Sequence, residues 1–274
     1  MPELPEVETV KRGLAPVMEG RVFENVVLNR ADIRFPFPSN FKSRLVGTTL
    51  ITLSRRAKFL KADLSSGETL LMHLGMSGSF IIGAARGREN PKHDHVIFTM
   101  RGEKTPIIYN DPRRFGFMEL LGQDKLGRLA NLGPEPLSNN FHGPALYGAL
   151  RGKKSPIKTA LLDQRVVAGL GNIYVCEALY SAKISPLRKS CHVNEAQCER
   201  LCTEIQKILE RAIKAGGSTL KDFSAVDGSL GYFQHRFKVY GQEANTCHNK
   251  DCTGKIARIK QSGRSTFHCP KCQI

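Results

Sequence analysis

Four cysteines near the end of the chain, Cys247, Cys252, Cys269 and Cys272, follow the spacing C-x4-C-x16-C-x2-C. No other feature constrains the fold so tightly. Zinc binds tetrahedrally, and two short cysteine pairs on facing hairpin turns supply four thiolates. The first pair is wider than the common C-x2-C, and His248 and His268 flank two of the cysteines and could each replace one. The tail from residue 238 has fewer than 40 residues and few apolar groups, so it needs a staple to fold. The expectation is a β-hairpin zinc ribbon holding one structural Zn2+. Four protein ligands leave no open coordination position for substrate.

Charge narrows the partner. The 274 residues carry 41 Lys+Arg against 25 Asp+Glu, a net charge of +16. Such a balance points to a polyanion: nucleic acid, an anionic membrane surface or an acidic protein. Residues 235 to 274 hold eight basic and two acidic side chains. Among them Lys255, Arg258, Lys260 and Arg264 suit phosphate contacts. These facts alone describe a basic zinc-ribbon nucleic-acid binder. No run of 18 apolar residues exists, so a spanning helix is not expected. The opening MPELPEVETV is acidic and lacks the basic and apolar regions of a signal peptide. A cytoplasmic protein with reduced or metal-bound cysteines is expected.

Periodicity divides the chain. Val7, Val10, Leu14 and Val17 recur at helical spacing, Pro5 suits a first turn and Gly20 an exit. Glu3, Glu6 and Glu8 crowd the helix start, where the dipole favours anions. Between about 21 and 120 the segments RVFENVVL, TLITLS, KFLKADL, TLLMHLG, HVIFTM and PIIYND read as short strands of a sandwich or flattened barrel. AARGRENPKHD (84–94) reads as a flexible basic loop, and GPEPLSNN (133–140) as an interdomain linker. From Asn194 to Gly216 a helix is expected, with Asn194 and Gln197 as its cap. Cys198, Leu201, Cys202, Ile205, Ile208, Leu209 and Ala212 would form its buried stripe. Cys198 and Cys202 then read as small core residues. No function is assigned to them, to Cys176 or to Cys191. Residues 218–237 read as loop.

Pro2 is unusual next to an initiator methionine. Removal of Met1 before a small residue leaves a secondary amine, and an α-amino group titrates near ~8, so a useful share is neutral at cellular pH. Attack of such an amine on a sugar aldehyde carbon gives an iminium. That cation acidifies the neighbouring C–H and favours elimination. Glu3 lies beside it and can donate or accept a proton. For an arbitrary chain the same residues would simply begin a helix.

The resemblance decides between these readings. MPELPEVETV, RRAKFLK (55–61), HLGMSGS (73–79), KHDH (92–95), NDPRRFG (110–116), LGPEPLS (132–138), LLDQRVVAGLGNIYVCEALY (161–180), GGSTLKDF (216–223) and RSTFHCPKC (264–272) resemble, in order and over essentially the whole chain, motifs of the formamidopyrimidine-DNA glycosylases of the wider Fpg/Nei family. Leu4 in PELPE resembles the purine-directed branch, since the endonuclease VIII branch typically has Gly there. The resemblance implies an α+β fold: an N-terminal helix and antiparallel β-sandwich (2–132), a helix-two-turn-helix domain (133–237) with a lesion-covering loop about 217–235, and the zinc ribbon (238–274). Double-stranded damaged DNA would lie in the cleft between the halves of a monomer that has no membrane partner.

By the same resemblance Pro2 is the Schiff-base nucleophile, Glu3 the acid/base assisting sugar-ring opening, and Glu6 a supporting carboxylate or merely a helix-dipole charge. Lys58 contacts the lesion nucleotide and assists proton transfer, where residues alone would make it a solvated strand lysine. Met76, Arg113 and Phe115 match the residues that fill the hole left by an extruded base; without the family Met76 and Phe115 would read as core. His93, Lys153 and Asn172 match DNA-contacting positions. Arg264 matches the ribbon-tip arginine, also implicated in elimination. The implied activity is that of a bifunctional glycosylase and AP lyase excising 8-oxoguanine and formamidopyrimidines. An endonuclease VIII-like enzyme for oxidised pyrimidines and a non-catalytic DNA-binding protein are the alternatives. The longer Cys247–Cys252 spacing departs from the family and puts the shape of the first zinc knuckle in doubt.

Overall fold

The computed structural model describes residues 2–83, 91–123, 126–219, 226 and 230–274. Contacts divide the chain into two compact units, residues 1–130 with 215–232, and residues 131–214 with 233–274.

The first unit begins with α1 (Leu4–Met18). Of its expected stripe Val7, Val10 and Leu14 are fully buried, but the fourth place falls to Met18, with Val17 only partly buried. The strands that follow are β1 (Phe23–Leu28), β2 (Leu50–Arg56), β3 (Phe59–Leu64), β4 (Thr69–His73), β5 (Ser79–Ile82), β6 (Asp94–Met100), β7 (Ile107–Asn110) and β8 (Phe117–Leu121), with α2 (Phe41–Leu45) between β1 and β2. Among the described residues they form two four-stranded sheets, ordered β1-β6-β7-β5 and β2-β3-β4-β8, with every pairing antiparallel. Side chains from both sheets and α1 share one apolar core containing Phe23, Leu53, Leu60, Met72, Phe80 and Phe98. Alternation along β3, with Leu60, Ala62 and Leu64 inward, shows why this pattern makes a half-buried strand.

Three elements are not apparent from the sequence: α2, β5 and β8 are short and carry no clean period. The basic segment 84–94 falls partly outside the described residues, at 84–90. Its end is regular, because Pro91–His93 forms a 3-10 turn and Asp94 opens β6.

The second unit contains α3 (Gly143–Leu150), α4 (Ile157–Leu162), α5 (Asn172–Ser181) and α6 (Glu195–Lys214), then the hairpin β9 (Ala257–Gln261) and β10 (Arg264–His268). The α6 cap is reciprocal: the Gln197 N–H donates to Asn194 Oδ1 at 2.9 Å and the Asn194 N–H to Gln197 Oε1 at 3.1 Å. The buried α6 residues are the seven expected, Cys198 and Cys202 included. Buried Glu177 on α5 accepts the backbone N–H groups of Lys238, Val239 and Tyr240 at 2.8–3.2 Å. It thereby ties the start of the tail to the helices.

Candidate active site

In the first unit Pro2 and Glu3 lead into α1 and both are buried. Glu6 is 2 % exposed. One of its oxygens accepts the Glu3 N–H at 2.9 Å and the other the Ser218 N–H at 2.8 Å. It therefore holds the residue after Pro2 and the chain at 218 together, more than a dipole charge would do. Gly217 fits here because its φ is +78° and a Cβ would stand 3.1 Å from Glu6 Oε1. Ser218 pairs with Tyr232, and the Tyr232 N–H donates to the Ala215 carbonyl at 3.1 Å. Residues 220–225 and 227–229, with Gly228 and much of the expected lesion-covering loop, lie outside the described residues.

Lys58 sits in the two-residue turn between β2 and β3, where Arg56 pairs with Phe59. It is 8 % exposed, so the reading as a solvated strand lysine fails on both place and burial. Ala57 before it adopts φ +54°, a left-handed conformation that costs about 1 kcal/mol and marks sites held by their surroundings. Glu8 on α1 pairs with Arg55 at 3.1 Å, and Arg55 also donates to the Ala57 carbonyl at 3.0 Å. The helix start and the Lys58 turn are thus tied together. Burial pushes the Glu8 carboxyl up, but Arg12, Lys11 and Arg55 together hold it below its ordinary value.

His73, at the end of β4, opens the motif HLGMSGS, but its residue type and spacing assign it no role. Its ring stacks on Phe117 at 5.2 Å and lies 5.0 Å from Phe59, while Nδ1 accepts the Gly75 N–H at 3.0 Å. Burial, then the positive Lys58, Arg34 and Arg128, push its pKa down to about 4. The folded value lies below the unfolded one, so its contribution to stability is complete above about pH 6.5 and is lost as pH falls toward 4. With its partial exposure discounted, that contribution is on the order of 1–2 kcal/mol. Denaturant unfolding at pH 7 and pH 4.5 should show a larger acid loss in the wild type than in His73→Gln. Equal losses would contradict the assignment.

Of the expected wedge residues, Phe115 is 42 % exposed and Met76 half-buried, so neither is a core residue. The Arg113 guanidinium lies 4.9 Å from the Phe115 ring centroid. A cavity of about 410 Å³ beside them is lined by Ile33, Arg34, Arg113, Arg114 and Phe115. It places guanidinium donors against an apolar ring. His93 sits in the 3-10 turn before β6.

The second unit carries the other group. Asn172 opens α5 after Gly171, and its Nδ2 donates to the Ser265 carbonyl at 2.9 Å. Buried Lys158, which nothing in the sequence marks out, donates to the same carbonyl at 3.1 Å and to Thr266 Oγ1 at 2.6 Å. Arg264, next to Ser265, stands exposed at the start of β10. The hairpin arginine and Asn172 therefore ride on one bonded network. Lys153 lies in the loop between α3 and α4.

Cys247, Cys252, Cys269 and Cys272 offer sulfur atoms all within 4.8 Å of one another. The Cys247–Cys272 and Cys252–Cys269 separations are both 3.7 Å. Four thiolates at about 2.3 Å from a tetrahedral zinc stand about 3.8 Å apart. Donors already face the sulfurs: the Asn249 amide reaches Cys272 at 2.9 Å, and the Asn249 and Gly254 N–H groups reach Cys247 and Cys252 at 3.4 Å. Such N–H···S contacts stabilise thiolates. Asn249 lies within the widened first pair, so that stretch carries a donor for the site. Four cysteines in this arrangement can hold a metal ion.

Residues 1–118 match the family model for the formamidopyrimidine-DNA glycosylase N-terminal domain, and residues 132–224 the model for its H2TH domain. A curated formamidopyrimidine-DNA glycosylase of Ruegeria pomeroyi is 53 % identical over 283 residues, covering all of both chains. Two solved structures of the Lactococcus lactis enzyme are similar. One, in complex with DNA containing an abasic site, is 35 % identical with a TM-score of 0.88, and the alignment covers 99 % of each chain. The other, with DNA containing N7-benzyl-Fapy-dG, is 36 % identical with a TM-score of 0.89 and the same coverage. With full-length identity above half and both domain models matched, this chain belongs to the formamidopyrimidine-DNA glycosylase family.

Proposed function

We propose that the protein is a bifunctional DNA glycosylase and AP lyase of base excision repair, acting on oxidised purines in duplex DNA. The observation that carries it is the arrangement at the N-terminus. Pro2 is seated in a buried position beside Glu3, Glu6 bonds the Glu3 backbone, and the Lys58 turn is tied to the same helix through Glu8 and Arg55. The Pro2 nitrogen attacks C1′ of the everted nucleotide as the glycosidic bond breaks and the base leaves with a proton. Glu3 moves the proton that opens the sugar ring. The iminium acidifies the C2′–H; as that proton passes to a base such as water, the C3′–O bond to phosphate breaks by β-elimination. A second, δ-elimination expels the 5′ phosphate. Arg113 and Phe115 with Met76 fill the vacated stack. His93, Lys153, Asn172 and Arg264 hold phosphates.

The four-cysteine site supports zinc as its ion. When bound, zinc supplies the fold of the ribbon and no chemistry. No helix among the described residues is long and apolar enough to cross a membrane. We take the working form to be a cytoplasmic monomer bound to damaged DNA. The functional division runs as 2–132, 133–237 and 238–274.

Single-turnover excision on 8-oxoguanine:C and thymine-glycol duplexes tests the substrate class. Release of 8-oxoguanine should be at least about tenfold faster, or about 1.4 kcal/mol. Faster pyrimidine release would overturn the assignment, and no borohydride-trapped adduct on either duplex would make the protein a binder.

A further inference from the structure

The exposed wedge is held from beneath by a carboxylate that no step above uses. Asp111 is 0 % exposed. Its Oδ1 accepts the Ser77 hydroxyl at 2.6 Å, and its Oδ2 accepts the Gly116 N–H at 2.8 Å and the Tyr109 hydroxyl at 3.3 Å. Its carbonyl accepts His95 Nε2–H at 2.8 Å, and its N–H donates to the His93 carbonyl at 3.0 Å. Ser77 passes the link on, because its oxygen accepts the Arg113 N–H at 3.1 Å. Burial and the neighbouring Asp111 push the Tyr109 hydroxyl far above its ordinary pKa, so it remains a donor.

Three stretches of chain therefore meet on one side chain. The first is the turn 74–78, which carries Met76 and closes through Gly78 N–H to the Leu74 carbonyl at 2.8 Å. The second is the turn 111–116, which carries Arg113 and Phe115. The third is 93–95, which carries His93. The two turns also press directly on each other. A Cβ on Gly75, at φ +63°, would stand 2.3 Å from the Phe115 carbonyl carbon, and one on Gly116 would stand 1.8 Å from the Tyr109 hydroxyl. Arg114 is held at φ +55° within the second turn.

We infer that Asp111 is a positioning residue for base eversion: through Ser77, Tyr109 and Gly116 it fixes the relative geometry of Met76, Arg113 and Phe115, so that these enter the helix as one rigid plug. This rests on the glycosylase reading above and assigns it a part outside the chemical site. A loosely held wedge would still be present, but misplaced, and a misplacement of about 1 Å is enough to cost rate. The chemistry at Pro2 would be untouched once no base pair needs opening.

The test compares two substrates in Asp111→Asn and Ser77→Ala, with zinc retained. One is duplex 8-oxoguanine:C with 2-aminopurine beside the orphaned cytosine. The other is a single-stranded abasic oligonucleotide. In Asp111→Asn, duplex excision should fall about 30-fold, the equivalent of about 2 kcal/mol, and the fluorescence change on insertion should shrink with it. Borohydride trapping and nicking of the single-stranded abasic site should stay within about twofold. Ser77→Ala, which removes one hydroxyl, should show the same pattern at about fivefold, and carries the test if Asp111→Asn does not fold. Equal loss on both substrates, or no loss on either, would overturn the inference. Absence of an adduct between wild-type protein and the abasic strand would instead overturn the glycosylase reading, and this inference with it.

Discussion

Protein whose initiator methionine is retained, or whose Pro2 nitrogen is acylated, should lose base excision and strand cleavage together, by at least about 10³-fold, equivalent to about 4 kcal/mol. The reason is stoichiometric. Without a free nitrogen at Pro2 no iminium forms, and without an iminium neither elimination has its electron sink. The fold should not change, because α1 is secured by its buried stripe and by Glu6 rather than by the terminal charge. Pro2→Gly should fall between the two states. It offers a primary amine, whose imine must be protonated before it draws electrons, and it gives up the fixed φ that seats Pro2. Single-turnover kinetics on 8-oxoguanine:C with parallel borohydride trapping measures both. Full activity in the acylated protein would contradict the account.

Stripping the metal should separate DNA binding from the first unit's fold. Chelation takes the ion, and Cys269→Ser takes a ligand, from a site whose sulfur atoms stand 3.7 Å apart in pairs, and the ribbon has little core to fall back on. Its apolar cluster draws on Tyr180, Val239, Ile256 and Phe267 around the cysteines themselves. Structural zinc contributes about 10–16 kcal/mol of apparent binding energy in small domains, so the hairpin should unfold. Arg264 and the Ser265 carbonyl that fixes Asn172 and Lys158 go with it. Affinity for damaged duplex at about 0.15 M salt should drop at least about 100-fold, and the salt slope should flatten by roughly one unit for each phosphate that the ribbon no longer neutralises. Circular dichroism should keep the signal of the two sheets. Unchanged affinity in the metal-free protein would remove the ribbon from the DNA grip.

Local features are legible in the sequence and distant ones are not. The α6 cap and its seven buried residues follow from a period and a pair of residues three apart, so the sequence suffices. The four-cysteine cluster is likewise written in spacing. β5 and β8 are hidden because each is defined by a partner far along the chain, β7 and β4 respectively, and not by its own alternation. Lys58 shows the limit from the other side. Its residue type says surface, yet the two-residue turn after Arg56 places it in a buried position. Pro2, Glu3, Met76, Arg113 and Phe115 are assigned through family resemblance, since nothing in their spacing points to DNA chemistry. Asp111 lies inside the motif NDPRRFG, but neither it nor Lys158 has a role that residue type or spacing reveals. A buried charge announces itself only through its partners, and Ser77 and Ser265 come to them from other segments.

The most direct measurement is peptide mapping of the covalent complex. Protein of verified intact mass, lacking Met1, is incubated with 8-oxoguanine DNA, reduced with borohydride and digested. The sugar remnant should appear on the N-terminal peptide, attached at the nitrogen of Pro2. A remnant on Lys58 or any other lysine, with the N-terminal peptide unmodified, would contradict the mechanism.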